Sequence, residues 1–343
     1  MAYTSINSPT DYFNTVLYSG NGSTQTISGV GFEPDFTWIK TRSATDNHSL
    51  QDQVRGANKH LRSDSNIAET ESGTVHISSW NSDGFALGSL DGQTNASGRT
   101  YVAWNWLAGN STSSNTDGDI TSTVSVNTTA GFSIVSYTGN GTYPSTIGHG
   151  LGSVPQVLLT KKRNGTLSWQ VYHIGTGNTK KLQLNGTNAE SSDTVWNNTT
   201  PTSSVFTVGN SDTNNSGDTF IAYCFAEKKG FSKFGTYTGN GNANGPMVYT
   251  GFKPAWVLQK NISVTQGWQL QDNKRLGYNP DNYLLQPHTD QSESALQRVD
   301  LLSNGFKVRT TDAGQNASGN NYIYMAFAES PFTTSTGVPT TAR

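Results

Sequence analysis

Ser97-Gly-Arg-Thr-Tyr-Val-Ala-Trp-Asn-Trp106 is the stretch on which the fold turns. It returns as Ser216-Gly-Asp-Thr-Phe-Ile-Ala-Tyr-Cys-Phe225 and again as Ser318-Gly-Asn-Asn-Tyr-Ile-Tyr-Met-Ala-Phe327. In an extended chain Val102, Trp104 and Trp106 share one side, and Tyr101 and Ala103 the other. The matching sets are Ile221/Tyr223/Phe225 with Phe220/Ala222, and Ile323/Met325/Phe327 with Tyr322/Tyr324. A strand that is apolar on both sides belongs in the middle of a β structure, covered on each face.

Working outward, each of these closing strands ends a longer repeat. Tyr18-Ser-Gly-Asn-Gly22 recurs 119 residues later as Tyr137-Thr-Gly-Asn-Gly141, then 100 residues later as Tyr237-Thr-Gly-Asn-Gly241. Asn-Gly suits a chain entering positive φ, so these mark turns after a short strand. Pro34, Pro155 and Pro254 each precede a lysine by six positions, namely Lys40, Lys161 and Lys260. Between them Phe36/Trp38, Val157/Leu159 and Trp256/Leu258 alternate with period two. Fourteen positions past each proline stand His48, Trp169 and Trp268. No sustained helical periodicity is present, and Leu50 to Leu61 is expected to form a turn or two of helix at most.

These anchors predict an all-β protein of three tandem β-sandwich (jelly-roll-like) repeats, each of roughly 100 residues. The expected divisions are an N-terminal arm over 1–15, repeats over 16–109, 131–230 and 231–332, and a polar C-terminal tail over 333–343. Residues 110–130, rich in Ser, Thr and Asn, read as a linker. Copies two and three meet at Ala226-Glu-Lys-Lys-Gly-Phe231 without a spacer. They are expected to form a fixed pair, with copy one tethered more loosely.

Composition narrows the function. Of 343 residues only 13% are charged, and the net charge is −2. A nucleic-acid partner would call for a basic excess, so none is expected. Eight Trp, 14 Tyr and 14 Phe exclude a disordered chain. No run of 18 apolar residues exists, so no membrane insertion is expected. Met1 to Thr15 lacks a cationic-then-apolar signal pattern, which predicts synthesis in the cytoplasm without a signal peptide. One cysteine, Cys224, rules out an intrachain disulfide framework.

Candidate chemistry is sparse. The six histidines lack metal-site spacing, and Cys224 aligns with Asn105 and Ala326, a position indifferent to nucleophilicity. Asp212-Thr-Asn214-Asn-Ser216-Gly-Asp218 has the oxygen spacing of a calcium loop, but Tyr223 stands where a bidentate glutamate belongs. It is a weak metal candidate through Asp212, Asn214, Ser216 and Asp218, and no cofactor is expected. Glu227 and Glu329 recur one per copy, rather than as the facing pair glycoside hydrolysis needs. Two repeated features allow a binding role: the column His48/Trp169/Trp268, which if exposed would stack on sugar rings, and the cations Lys40, Lys161 and Lys260, which would face a partner or an anionic glycan. Each also has a plainer reading, as core and as solvated strand ends.

Ile6-Asn-Ser-Pro9, Tyr12-Phe-Asn-Thr15, Trp38-Ile-Lys40, Asp52-x-x-Arg55-Gly56, Ser82-Asp-Gly-Phe85 and the ending Ala326-Phe-Ala-Glu329, Pro331-Phe332 and Ala342-Arg343 resemble a family of virion structural proteins of tailed bacteriophages, marine ones especially. The resemblance covers nearly the whole chain. It implies a non-enzymatic protein on the virion surface, as head decoration or short tail appendage, held by the arm and copy one. It implies contacts with other virion proteins of capsid or tail, with itself as a homo-oligomer, and with a host-surface glycan. A glycan-binding tail fibre or adhesin is the alternative, and a polysaccharide hydrolase the weaker one. A face built on Asp52 and Arg55 is expected in copy one alone.

Overall fold

The computed structural model describes residues 3–71, 73, 75–89, 91–275, 279, 283–296 and 298–340. Met1-Ala2 of the arm and Ala342-Arg343 of the tail lie outside the described residues. The chain is built from antiparallel β-sheets, with Ser211–Asn214 the α-helix among the described residues. Leu50 to Leu61 is not helical: Ser49–Asp52 and Lys59–His60 are strands, and Gly56 and Asn58 between them take positive φ.

One four-strand order recurs three times. Phe13–Ser19, Thr100–Trp106, Phe36–Thr41 and Ser49–Asp52 lie side by side in that order. Phe132–Thr138, Thr219–Phe225, Val157–Lys162 and Gln170–His173 repeat it, as do Ser232–Thr238, Asn321–Pro331, Phe252–Asn261 and Trp268–Asp272. The closing strand is always an inner strand, flanked on both sides. The first strand starts at Phe13, so the first sheet takes in the last residues assigned to the arm.

Each of these three main sheets carries a smaller one on its outer face. The outer layers contain Gln25–Ile27 with Gly84–Leu87 and Ile77–Asn81, Ser145–Gly148 with Val205–Val208, and Met247–Tyr249 with Gly305–Val308 and Val299–Leu302. Tyr101 and Ala103, Phe220 and Ala222, and Tyr322 and Tyr324 fill these three sandwich interiors. A recurrent stack braces them: Tyr18 on Tyr101, Tyr137 on Phe220 and Tyr237 on Tyr322, with ring centroids 5.1, 5.2 and 4.8 Å apart.

The other face of the closing strands explains their second apolar side. Trp104, Trp106, Tyr223, Phe225, Met325 and Phe327 all enter one core shared by the three copies. Trp106, Phe225 and Phe327 form a triangle, with centroid separations of 6.4, 5.7 and 5.8 Å, within the range of favourable edge contacts. The three sandwiches therefore surround a common axis. Copy one is not loosely tethered; it supplies a third of this centre.

Residues 110–130 are not a free linker. Ser122–Asn127 pairs with Phe132–Thr138, and Ser113–Asn115 pairs with Ser122–Asn127, extending the second sheet. The physical reason is that a ladder is made by backbone groups, so small polar residues suffice once Ile120 and Val124 are buried in the second sandwich. Asp35 of copy one fixes the same segment, accepting from Ala108 N–H (2.6 Å), Asn110 N–H (3.0 Å) and Ser125 Oγ (2.9 Å).

The arm lies on copy three. Ile6 is buried in the shared core, the Tyr3 hydroxyl donates to the Gly251 carbonyl, and Asn7 exchanges hydrogen bonds with Ser335.

Candidate functional site

The residues singled out for binding converge, but on one another's copies. After the fourth strand of each sheet the chain makes a hairpin arm, delimited by the pairs Lys59–His60 with Thr70–Glu71, Lys180–Lys181 with Ser191–Ser192, and Tyr283–Leu284 with Ser294–Ala295. Copy one's arm lies on copy two, copy two's on copy three, and copy three's on copy one. This makes three seams in head-to-tail order.

The same bonds recur at each seam. Trp169 Nε1 donates to the Arg62 carbonyl (2.8 Å) and Trp268 Nε1 to the Gln183 carbonyl (2.9 Å). His48 Nε2 meets the Gln286 carbonyl at 3.2 Å, and because Trp38 Nε1 donates to Nδ1, Nε2 carries the hydrogen. The column is 0–2% exposed, which overturns its reading as a sugar-stacking face. Stacking needs an open ring face, and these faces are covered by protein.

The lysines behave alike. Lys40 Nζ donates to the carbonyls of Asp290 (3.1 Å) and Thr41 (3.0 Å), Lys161 Nζ to Asn66 and Lys162 (3.3 and 2.7 Å), and Lys260 Nζ to Thr187 and Asn261 (3.3 and 2.6 Å). All three are at most 1% exposed, so they neither face a partner nor sit in solvent. Burial pulls each ammonium down to a pKa of about 8. Backbone N–H groups of Asp46, Leu167 and Gln266 complete each contact by donating to the carbonyls of Asp290, Asn66 and Thr187 (2.8, 2.8 and 2.9 Å).

Two seams add ion pairs. At the first, Asp52 binds Arg55, Arg55 reaches Glu69 at 3.0 Å, and Glu69 pairs with Arg163 of copy two at 3.0 Å. The Tyr223 hydroxyl donates to Asp52 Oδ2 (2.7 Å). At the third, Asp272, Arg275, Glu293 and Arg42 repeat the chain of contacts at 2.6, 3.2 and 2.9 Å, and Trp104 Nε1 donates to Asp272 (3.0 Å). The Asp–Arg face is therefore not confined to copy one. At the second seam the corresponding residues are His173, Thr176, Glu190 and Ile262, which cannot build an Arg–carboxylate chain. There His173 Nδ1 accepts from Gly175 N–H, and Nε2 donates to the Tyr324 carbonyl at 3.1 Å.

The calcium-loop candidate resolves into a turn clasp. Asn214 Oδ1 accepts from Asn140 N–H (2.9 Å), as Asn95 and Asn316 do from Asn21 and Asn240 (3.1 and 2.8 Å). Asp212 pairs with Lys181 at 3.2 Å and Asp218 with Lys162 at 2.7 Å, so the oxygens point to separate partners. Among the described residues no group of three His, Cys, Asp or Glu side chains is placed to hold a metal ion. Cys224 is buried, and that burial pushes its thiol up to about 12. Glu227 pairs with Lys233 (3.1 Å) and Glu329 with Lys253 (3.0 Å).

The arms escaped the sequence reading, although a signal exists: Leu61, Leu182 and Leu285 are each followed eight positions later by glutamate. Two arms arch over cavities. That of copy three has a volume of about 320 Å³ and is lined by Leu284, Gln286, Gln291, Ser292, Glu293 and Ser294. That of copy two, about 160 Å³, is lined by Lys181, Leu182, Gln183, Asn188, Ala189 and Ser191. In copy one Thr70 Oγ1 contacts the buried His60 ring at 2.9 Å, spanning the corresponding arch.

A family model described as a domain of unknown function (DUF7483) matches residues 8–331. The chain belongs to this family. No curated protein and no solved structure matches it. The DUF7483 match runs through all three sheets and their arms, so the unit the family describes in this chain is the closed ring of sandwiches rather than one repeat.

Proposed function

We propose that this DUF7483 chain is a non-enzymatic structural protein on the exterior of a tailed-phage particle, as head decoration or short tail appendage. The reading is supported by one observation above the rest: the aromatic and ionisable residues that looked available for chemistry serve to join three sandwiches around one core. A set of sandwiches locked around one core suits a part that is built to be held and to display. The resemblance of its sequence motifs to those of phage virion proteins points the same way, and the partners proposed with it are capsid or tail proteins and further copies of this chain. Immunogold labelling of purified particles is the test. Label on head or tail exterior is expected, and particles devoid of the protein overturn the proposal.

Contact with a host-surface glycan is the second reading. What favours it is no longer the His48/Trp169/Trp268 column but the open arches of copies two and three. Hydrolysis of polysaccharide draws no support from Glu227 and Glu329, which are each engaged by a lysine. Turnover of a host polysaccharide by the purified chain would reinstate it.

A further inference from the structure

The outer edges of the three sandwiches are not alike. Ile27, Ile147 and Val248 hold one register position, each opposite a phenylalanine of the neighbouring strand, Phe85, Phe206 or Phe306. The flanking positions lie on the other side of the strand, away from the sandwich interior. They are Thr26 and Ser28 in copy one, Thr146 and Gly148 in copy two, but Met247 and Tyr249 in copy three. Met247 is 42% and Tyr249 55% exposed. The hydroxyls of Tyr3 and Tyr249 both lie beside Gly251, and Tyr3 leads on to the exposed Phe332 at a centroid separation of 6.3 Å. An apolar patch of this kind, at a place that is polar in the sister copies, marks a contact surface.

The backbone there is open as well. Val308 N–H donates to the Pro246 carbonyl and Thr250 N–H to the Asn304 carbonyl, both at 3.0 Å. Residues 246, 248 and 250 therefore turn their polar groups to the neighbouring strand, and Met247 and Tyr249 turn theirs outward. Copy two shows what such an edge takes up. Ile120 pairs with Ile147, its N–H donates to the Thr146 carbonyl (3.1 Å), and Asp119 accepts from Thr146 N–H and Oγ1 (2.9 and 2.8 Å). Among the described residues no strand pairs with that side of Met247–Tyr249.

We propose that this edge of copy three is a twofold contact with a second copy of the chain. Antiparallel pairing centred on Val248 sets Met247 opposite Tyr249 of the second copy, and Tyr249 opposite its Met247. Each such pair exchanges both of its N–H···O bonds, and a thioether meets an aromatic ring at either end. A twofold contact must be complementary to itself. This one is, because the three residues are neutral and no charge faces its own like. On copy one, Thr26 and Ser28 offer hydrogen bonds that water matches, without the apolar gain. Three residues a side make a small contact, so the dimer is weak, with a Kd of about 10–100 μM. The inference rests on the reading of further copies as partners and is independent of where on a virion the protein sits.

The test is sedimentation velocity of the full chain from about 1 to about 300 μM, a range that brackets this Kd. A monomer–dimer equilibrium is expected. Met247→Lys/Tyr249→Lys sets like charges opposite each other and should weaken the dimer at least about tenfold. Thr26→Lys/Ser28→Lys, on the corresponding edge of copy one, should change it by less than about twofold. Unchanged circular-dichroism melts establish that the variants fold. Cross-linking reads the register, since Cα atoms of a hydrogen-bonded pair lie within disulfide reach. An oxidised mixture of Met247→Cys and Tyr249→Cys chains should form a mixed disulfide dimer several-fold faster than either variant alone, and the buried Cys224 takes no part. A chain monomeric throughout, a dimer that withstands Met247→Lys/Tyr249→Lys, or one weakened equally by the copy-one change would each overturn the assignment. So would cross-linking of either cysteine variant with itself as readily as with the other. None of these outcomes bears on particle labelling, so the two proposals fail separately.

Discussion

The Tyr223 hydroxyl of copy two donates to Oδ2 of Asp52 in copy one at 2.7 Å, and both residues are fully buried. Asp52 also holds Arg55, so the hydroxyl is one of the groups that lets a carboxylate and a guanidinium stay out of water together. Tyr223→Phe removes it without opening a cavity. A loss of about 1.5–3 kcal/mol is expected, the usual range for a hydrogen bond to a charged group. Urea unfolding measures it, and an unchanged midpoint would show the bond to be dispensable.

The unequal seams make a sharper comparison. Glu69 bridges Arg55 and Arg163, whereas Glu190 lies opposite Ile262, and burial raises its pKa. Glu69→Gln leaves two arginines short of a partner and should cost about 3 kcal/mol. Glu190→Gln should stay within about 0.5 kcal/mol of the parent. Equal costs for the two changes would contradict the assignment of the ion network to the first seam.

Lys40, Lys161 and Lys260 set a pH dependence. Their folded pKa, about 8, lies below the free value of 10.5. Between those limits the native chain binds fewer protons than the unfolded one, so stability rises with pH across that window. A neutral amine still donates to both of its carbonyls, so the seams are kept. Denaturation midpoints at about pH 8 and about pH 10 should differ in that sense, and Lys161→Met should remove one lysine's share of the slope. Midpoints that fall over this interval would refute the coupling.

Acid acts on the second seam. Burial lowers His173 to a pKa of about 4, from 6.5. Below 6.5 the unfolded chain takes up a proton that the native imidazole refuses, and stability drains away as pH falls towards 4. His173→Gln keeps a donor for the Tyr324 carbonyl and should show a shallower loss than the parent between those values. Parallel acid titrations of the two, read by near-ultraviolet circular dichroism, decide it.

The turn clasps leave no room for a side chain. A Cβ on Gly139 would stand 2.3 Å from the Asn215 carbonyl oxygen, and on Gly20 and Gly239 it would stand 2.2 Å from those of Ala96 and Ala317. Because each obstacle is backbone, Gly139→Ala should cost about 2–3 kcal/mol, while Gly186→Ala, beside a flexible Gln183 side chain, should cost far less. Thermal melts of the pair test this.

What the sequence displays is the part of the fold written in side-chain alternation. Thr100–Trp106 and its two counterparts announce themselves as inner strands because both faces are apolar, and Tyr-x-Gly-Asn-Gly announces its turn. Trp169 and Lys161 were ambiguous for a physical reason. An indole suits a sugar or a core equally, and an ammonium reads as exposed until its acceptors are known. Those acceptors are carbonyls of Arg62, Asn66 and Lys162, which no side-chain pattern records. The segment over 110–130 misled in the same way, since a strand edge is completed by backbone. The arch cavities depend on the fall of a loop and had no trace beyond the Leu-to-Glu spacing.

The head-to-tail order of the seams has a temporal consequence. Copy one leaves a ribosome before copy three, but the surface around Lys40, Arg42 and His48 is covered by residues 286–293, which belong to copy three. During synthesis that surface stands open, with Lys40 and His48 lacking the carbonyls of Asp290 and Gln286. The arm of copy one, by contrast, finds copy two as soon as Trp169 emerges. A nascent chain of this kind grows as an open arc and shuts when the arm of copy three returns to copy one.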